Sequence, residues 1–403
     1  MKVLVVNAGS SSLKYQLFDM DTEEVMAKGN AERIGLDGSF LKHKANGVET
    51  ILKSQFKNHS EAIALILQTL TDAQIGVIKD IREIDAIGHR VVHGGEHYTK
   101  PCLVNQKVID DLRGLVDLAP LHAVPNTDGI IGCMQVAPQI PNVTVFDTAF
   151  HSTMPNYAYL YGVPMRYYRD YAVRRYGAHG TSHKFVGQKL AEYAGLDFEN
   201  CKLITCHIGN GSSITAIKNG KCIDTSMGMT PLEGLIMGTR CGDIDANVIQ
   251  YLCKKTGYDV NKVTQILNKE SGLLGITEKS SDMRDICEMY ANGDPAATLA
   301  LEMLAYRIRK YIGSYVGALD GVDAICFTAG IGENTPELRE MVLNNLNYLG
   351  VKFDKDANYS IPRGDDALIT TKDSAIPVYV ISTNEELAIA RETVELVTSI
   401  NKA

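Results

Sequence analysis

Residues 2–21, KVLVVNAGSSSLKYQLFDMD, and residues 202–224, KLITCHIGNGSSITAIKNGKCID, follow one plan. Each is an apolar strand, a turn of small residues containing Gly-Ser-Ser, and a returning strand. In the first copy Val3 to Val6 form an apolar run, and Leu13, Tyr15 and Leu17 alternate with Lys14 and Gln16, so the chain turns back as a hairpin. A tip of glycine and serine exposes backbone N–H groups and hydroxyls, and Lys14 at the root of the returning strand adds positive charge. That arrangement suits phosphate. The same pattern also describes an ordinary hairpin whose serines face water.

The repeat extends further. VTVFDTAFH from Val143 and AICFTAGIGEN from Ala324 are each an apolar strand running into a polar or glycine-rich turn. A hairpin followed by a strand-turn therefore occurs twice, at separations of about 200 and about 180 residues, which points to a duplicated domain. Strand-like and helix-like segments alternate throughout, the pattern of an α/β protein, and 403 residues exceed one hydrophobic core. Ser60 is placed to cap a helix carrying Ile63, Ile66, Leu67 and Leu70, and Asp294-Pro295 to open a long helix containing Leu299, Met303 and Tyr306. Thr383 and Glu386 stand at capping-box spacing before a helix bearing Leu387, Ala390, Val394 and Val397.

The formal net charge of −8 argues against a nucleic-acid or anionic-membrane partner, which needs clustered excess Lys and Arg. No apolar run approaches the roughly 18 residues of a membrane helix, and Val3 to Val6 is too short for a secretory signal. Nine scattered cysteines, without Cys-x-x-Cys or Cys/His clusters at zinc spacing, fit reduced thiols and a cytoplasmic protein. The Walker A pattern G-x-x-x-x-G-K-[ST] does not occur, so any nucleotide is held in another way.

Two α/β lobes, each presenting a phosphate hairpin to a shared ATP cleft, are the arrangement of actin, the sugar kinases and the Hsp70 ATPase domain. In chain order, the segments NAGSSSLKY, GHRVVHGG, PLHAVPN, VFDTAFH, YGAHGTSH, HIGNGSS, MGMTPLEGLIMGTRCGDID, FTAGIGEN and STNEELAIARE resemble the acetate kinase family of that superfamily. The likeness runs essentially from Met1 to Ala403. It implies an α/β fold of two duplicated actin-like (ribonuclease H-like) lobes, residues 1–149 plus 385–403 on the acid and phosphate side and 150–384 binding nucleotide and forming a homodimer. The implied reaction is reversible Mg²⁺-dependent transfer of the γ-phosphoryl group of ATP to acetate, giving acetyl phosphate and ADP, with Mn²⁺ also serving. A kinase for propionate or another short-chain acid is the neighbouring reading, and an actin-like or Hsp70-like nucleotide-binding module a remote one.

The chemistry needs charge neutralisation more than a general base, because a carboxylic acid of pKa near ~4 is already ionised at neutral pH. Arginine, histidine and a divalent cation are the tools for bringing two anions into line. The resemblance assigns Arg90 to the acid or acyl phosphate, Arg240 to the same oxygens from the other lobe, and His179 to an equatorial oxygen of the transferring group. Asp147 ends an apolar strand, where burial demands a nearby cation, and is read as orienting Arg90 or metal-bound water. His122 and His207 fill similar family positions, with His183 and His93 in support. Asn7 and Glu385 are the metal candidates, Glu385 because Glu386 is expected to serve the helix cap. Ser10, Ser12 and Lys14 are assigned to the nucleotide phosphates, with His207, Ile208, Gly209, Asn210 and Gly211 as the second half of the clamp. Gly330, Ile331, Gly332, Glu333 and Asn334 would open a helix beneath the nucleotide, and Asp282, Met283 and Arg284 lie on the adenosine side. Val92, Leu121 and Pro231 match the apolar lining of a methyl pocket. Ala178 departs from the family, which commonly carries phenylalanine there, leaving either a larger pocket or a space filled by a neighbour.

Overall fold

In the computed structural model, which describes residues 1–119 and 122–401, both hairpins form. Strands β1 (Lys2–Ala8), β2 (Ser12–Asp19), β3 (Glu24–Glu32), β4 (Phe40–Ala45), β5 (Val48–Lys53), β6 (Ala86–Val91), β7 (Cys102–Leu103) and β8 (Asn142–Phe146) build one sheet, in the order β5-β4-β3-β2-β1-β6-β8-β7. A second sheet holds β9 (Lys202–Ile208), β10 (Ser212–Lys218), β11 (Lys221–Thr225), β12 (Ala324–Thr328), β13 (Ala367–Leu368) and β14 (Val378–Val380), in the order β11-β10-β9-β12-β14-β13.

Six strands of the first order, β3-β2-β1-β6-β8-β7, match the six of the second, and β4 and β5 extend the first sheet beyond them. In the first sheet β3-β2-β1 run antiparallel, β1, β6 and β8 are parallel, and β7 is antiparallel to β8. In the second, β11-β10-β9 are antiparallel, β9, β12 and β14 parallel, and β13 antiparallel to β14. Both halves are thus α/β and one topology occurs twice. One pairing inferred from sequence is corrected. The strand from Ala324 is the counterpart of Ala86–Val91, beside the hairpin, and Val143 lies in the strand equivalent to Val378–Val380. An apolar run ending in a polar turn says that a strand exists; which neighbour it takes depends on the connection, which alternation does not encode.

The chain divides into two compact units, Met1–Phe150 with the segment from Asn384 onward, and His151–Thr383. In the first unit one sheet face packs Leu4, Val6, Leu13, Tyr15, Leu17 and Leu41 against Ile63, Ile66 and Leu70 of helix His59–Leu70. The other face packs Val3, Val5, Ala86 and Val145 against Ile389, Ala390 and Val397 of helix Glu385–Asn401. Gly88 permits that approach, since a Cβ there would sit 2.5 Å from Thr393 Oγ1 and 2.9 Å from Ile389 Cγ2. In the second unit helix Pro295–Leu319 starts where expected. Asp294 Oδ1 accepts the Ala296 and Ala297 N–H groups at 2.9 and 3.0 Å. Its core stripe is Ala297, Leu301, Leu304, Ile308 and Ile312, leaving Leu299 and Tyr306 on the exposed side.

Two caps differ from expectation. Helix His59–Leu70 is capped by Asn58, whose Oδ1 accepts the Glu61 N–H, while Ser60 lies inside the first turn and donates to Gln135 Oε1. Helix Glu385–Asn401 is capped by Asn384, whose Oδ1 accepts the Leu387 N–H at 3.0 Å; Thr383 pairs instead with Ser182 Oγ. Glu386 is therefore not the cap partner, and capping does not single out Glu385 for the metal. No helix among the described residues is long and apolar enough to cross a membrane.

Candidate active site

Register places the first unit's polar side chains. Val3, Val5 and the next alternate residue, Asn7, share a face of β1, and Asn7 stands opposite Lys14 on β2. Pairing of Val5 with Gly88 carries that face to Arg90 on β6, and pairing of Arg90 with Val145 carries it to Asp147, just past the end of β8. Arg90 Nε and Nη2 donate to Asp147 Oδ1 and Oδ2 at 3.2 and 2.7 Å, and Asp147 is 1% exposed. The cation that burial of Asp147 requires is therefore Arg90, whose own proton affinity Asp147 raises. Glu385, first residue of its helix, lies on the same side, Oε2 3.8 Å from Arg90 Nε. Burial holds its pKa above the ordinary carboxylate range against the pull of Arg90, with Asp147 raising it further. Asn7 and Glu385 offer oxygen donors only, a set suited to a hard cation that takes few protein ligands.

Lys14 is exposed and lines a cavity of about 320 Å³ with Asn7, Asn30 and Glu386. At the hairpin tip Ser10 is exposed and Ser12 half-buried, and the Gly9 N–H donates to Ser12 O at 2.8 Å. His59, not anticipated from sequence, steadies the tip through Gly9 O, 2.7 Å from its Nε2. Asn126, also unanticipated, accepts the Val92 N–H through Oδ1 and donates to Ala8 O through Nδ2, tying the end of β1 to the segment after β6. Val92 is buried and His122 half-buried before helix Ala123–Val136. Leu121 lies outside the described residues.

In the second unit three histidines gather. His179 adopts φ 59°, a left-handed conformation costing roughly 1–2 kcal/mol outside glycine, and heads helix Gly180–Ala194. Its ring stacks on His207 at 4.2 Å, and Ser213 Oγ lies 2.9 Å from its Nδ1. Ser213 Oγ is also 2.7 Å from His183 Nε2, whose Nδ1 meets Thr205 Oγ1; burial and the neighbouring histidines His151 and His207 keep His183 neutral. His207 Nδ1 pairs with Ser182 Oγ. Ser213 and Ser182 lie inside the motifs HIGNGSS and YGAHGTSH and Thr205 on β9, but their pairing with these rings was not anticipated, because they reach them from separate elements.

Gly211 lies between two predicted residues, and a Cβ there would be 3.4 Å from both Arg240 Nη1 and His179 Nε2. Arg240 Nη1 donates to Pro231 O at 3.1 Å and contacts Met237 Sδ at 3.6 Å. Among the described residues no carboxylate lies within ion-pair distance of Arg240, and burial lowers its pKa. Ala178, the departure from the family, packs with Met227 and Met237, so methionine side chains occupy space beside it.

A second cavity, of about 660 Å³, brings together Asn210, Asp282, Met283, Arg284, Gly330, Ile331 and Asn334, from three segments far apart in sequence. Arg363 and Cys287 line it too and were not anticipated. Other predicted nucleotide residues are taken up by the protein. Ile208 is wholly buried in the core, leaving only its backbone, and Gly332 is buried against β9. Glu333 Oε1 accepts the Ala329 and Thr383 N–H groups at 2.8 and 3.1 Å, so this carboxylate oxygen clamps the start of its helix to the segment before Asn384. Asp282 caps helix Met283–Ala291 and pairs with Arg284.

The profile of the acetokinase family matches residues 2–391. The acetate kinase of Caldanaerobacter subterraneus subsp. tengcongensis is 54% identical over 402 residues, covering 99% of this chain and all of that protein. Among solved structures, Porphyromonas gingivalis acetate kinase superposes with a TM-score of 0.95 at 44% identity, and a propionate kinase from Francisella tularensis with 0.91 at 39%; each comparison covers 98% of this chain and 99% of the other. Matched by this profile over residues 2–391 and by these relatives over 98–99% of its length, the chain belongs to the acetokinase family, whose members are nucleotide-using kinases.

Proposed function

We propose that the protein is an acetate kinase that transfers the γ-phosphoryl group of ATP directly and in line to acetate, and runs in reverse from acetyl phosphate and ADP. Arg240 carries this reading. It is a desolvated guanidinium with no carboxylate partner among the described residues, set beside His179, a cation reserved for an anionic ligand. A sugar kinase would instead need a carboxylate base beside a neutral hydroxyl.

Arg90, aligned by Asp147, holds the carboxylate of the acid; Val92, Leu121 and Pro231 line its methyl group, with His122 beside them. Arg240 and His179 meet the equatorial oxygens as charge spreads over the transferring group, while Ser213 and neutral His183 fix the imidazole of His179. Ser10, Ser12, Lys14 and the backbone from His207 to Gly211 take the nucleotide phosphates, and the cavity with Arg284, Gly330, Ile331 and Asn334 the nucleoside. Asn7 and Glu385 would hold Mg²⁺, or Mn²⁺, which when bound neutralises phosphate charge. The family resemblance supports a cytoplasmic homodimer joined through the unit that binds nucleotide.

A propionate kinase is the second reading, favoured by the F. tularensis neighbour and by the small side chain of Ala178. Trapping the acyl phosphate as a hydroxamate with equal concentrations of acetate, propionate and butyrate tests both. Acetate is expected to react fastest, with ADP released in step. Faster turnover of propionate overturns the choice of acid, and ADP release independent of any acid overturns the kinase reading.

A further inference from the structure

The segment from Thr225 to Asp243 carries Pro231 and Arg240 and contains no helix or strand beyond Thr225. Something must hold it, since a mobile loop would blur the position of a guanidinium that acts by placement. Arg175 is the first anchor. Its Nη1 donates to three successive carbonyls, Thr225 O at 2.7 Å and Ser226 and Met227 O at 3.1 Å, and its Nη2 donates to Glu233 Oε1. The other carboxylate oxygen of Glu233 accepts the Tyr161 hydroxyl, and that hydroxyl oxygen accepts the Met229 N–H at 2.8 Å. Glu233 thus sits two residues past Pro231, tied back through Arg175 to residues 225–227 and through Tyr161 to Met229. Gly228 makes room for the knot, because a Cβ there would overlap the Glu233 carboxylate and the Tyr161 hydroxyl. At the far end Asp243 Oδ1 accepts the Gly234 N–H at 2.8 Å and its Oδ2 accepts the Tyr311 hydroxyl. Arg240 then closes the span by donating to Pro231 O.

We infer that Glu233, clamped by Arg175 and Tyr161, is the positioning residue that sets Pro231 and Arg240 for the acid and the transferring phosphoryl group. The inference rests on the proposed roles of Pro231 and Arg240. A side-chain clamp of this kind places the acceptor end of the reaction. The nucleoside cavity is built from other segments.

Glu233→Gln keeps the size of the side chain and removes the charge that Arg175 meets; Tyr161→Phe keeps the ring and removes the hydroxyl that links Glu233 to Met229. Initial-rate kinetics with acetate and ATP varied independently read the split. Glu233→Gln is expected to raise KM for acetate and lower kcat/KM for acetate by about 10–100-fold, and Tyr161→Phe to do the same with a loss of about 3–10-fold, each with KM for ATP within twofold. A merely structural role would reduce kcat in proportion to folded protein and leave both KM values alone. The inference is overturned by acetate kinetics within twofold of the unaltered protein, by equal changes in the two KM values, or by failure of both variants to fold. Arg240→Ala, run alongside, separates the two levels. Normal turnover in that variant removes Arg240 from the reaction whatever Glu233 does, whereas its loss combined with an unaffected Glu233→Gln sinks only the clamp.

Discussion

Arg90 and Asp147 form a two-contact pair in which the carboxylate is almost wholly buried and the guanidinium keeps 24% of its side chain exposed. Arg240, by contrast, has no acidic partner among the described residues. The two arginines assigned to one reaction therefore stand in opposite electrostatic settings. Both Arg90→Ala and Arg240→Ala are expected to lower turnover by at least about 100-fold, since on the proposed function the first removes the charge that holds the acid and the second the charge that meets the transferring group. Their stabilities should part. Arg90→Ala strands a buried carboxylate and should cost about 3–5 kcal/mol, whereas Arg240→Ala relieves a desolvated cation and should cost under about 1 kcal/mol. Urea unfolding at pH 7 checks this; equal midpoints in the two variants would contradict it.

His89, on β6, is only 2% exposed, with its Nε2 2.7 Å from Asn142 Oδ1. Burial lowers its pKa to about 4 from an ordinary 6.5, the bond to Asn142 only partly opposing. The unfolded chain thus takes up a proton at a pH where the folded protein does not, so stability falls as pH drops through the window from 6.5 to about 4. Between pH 7.5 and pH 5 this residue alone should remove about 2 kcal/mol. His89→Gln should lack that component, read as the difference in urea midpoint between the two pH values. An identical pH dependence in the variant would rule the assignment out.

The cap of helix His59–Leu70 gives a smaller and sharper contrast. Asn58 is extended, at φ −157° and ψ 175°, the backbone state of a cap, and its side chain closes the bond to Glu61. Asn58→Ala should cost about 1 kcal/mol and Ser60→Ala no more than a few tenths. Thermal unfolding of the two variants is the measurement, and a larger loss for Ser60→Ala would return the cap to serine.

These contrasts mark what was legible in the sequence. The hairpins were, because alternation at Leu13, Tyr15 and Leu17 reports a half-buried strand directly, and so was the repeat, because both copies keep Gly-Ser-Ser at the turn. Asp147 was readable as a group needing a cation, since its place after an apolar strand implies burial. The caps were not, because Asn58 and Ser60, like Thr383 and Asn384, are all competent cap residues and only backbone angles choose among them. Nor were Ser213, Asn126, Arg175 or Arg363, whose roles arise where distant segments meet. The counterpart of Ala324–Thr328 was misread for the same reason: register across a sheet is not written in the strand itself.

On the proposed function, selectivity for the acid is expected to turn on the space beside Ala178. That residue is 6% exposed and packs with Met227 and Met237, which are 0% and 1% exposed, so the volume left by the family's usual aromatic ring is not simply open. Methionine fills irregular gaps through its flexible thioether, and Met237 Sδ also touches Arg240 Nη1. Truncating it to alanine should open a cavity next to the guanidinium that serves the acid. A pocket discriminates by about 1–3 kcal/mol per methylene, so Met237→Ala is expected to raise the ratio of kcat/KM for propionate to that for acetate by about tenfold, with some loss of absolute rate as Arg240 loses its neighbour. Ala178→Phe works in the opposite sense, since the ring must compete with Met227 and Met237 for filled space and should lower stability by about 1–3 kcal/mol. The hydroxamate assay reads both ratios. If Met237→Ala leaves the propionate-to-acetate ratio within twofold of the unaltered protein, the methionine cluster does not bound the acyl pocket and Ala178 owes its size to packing alone.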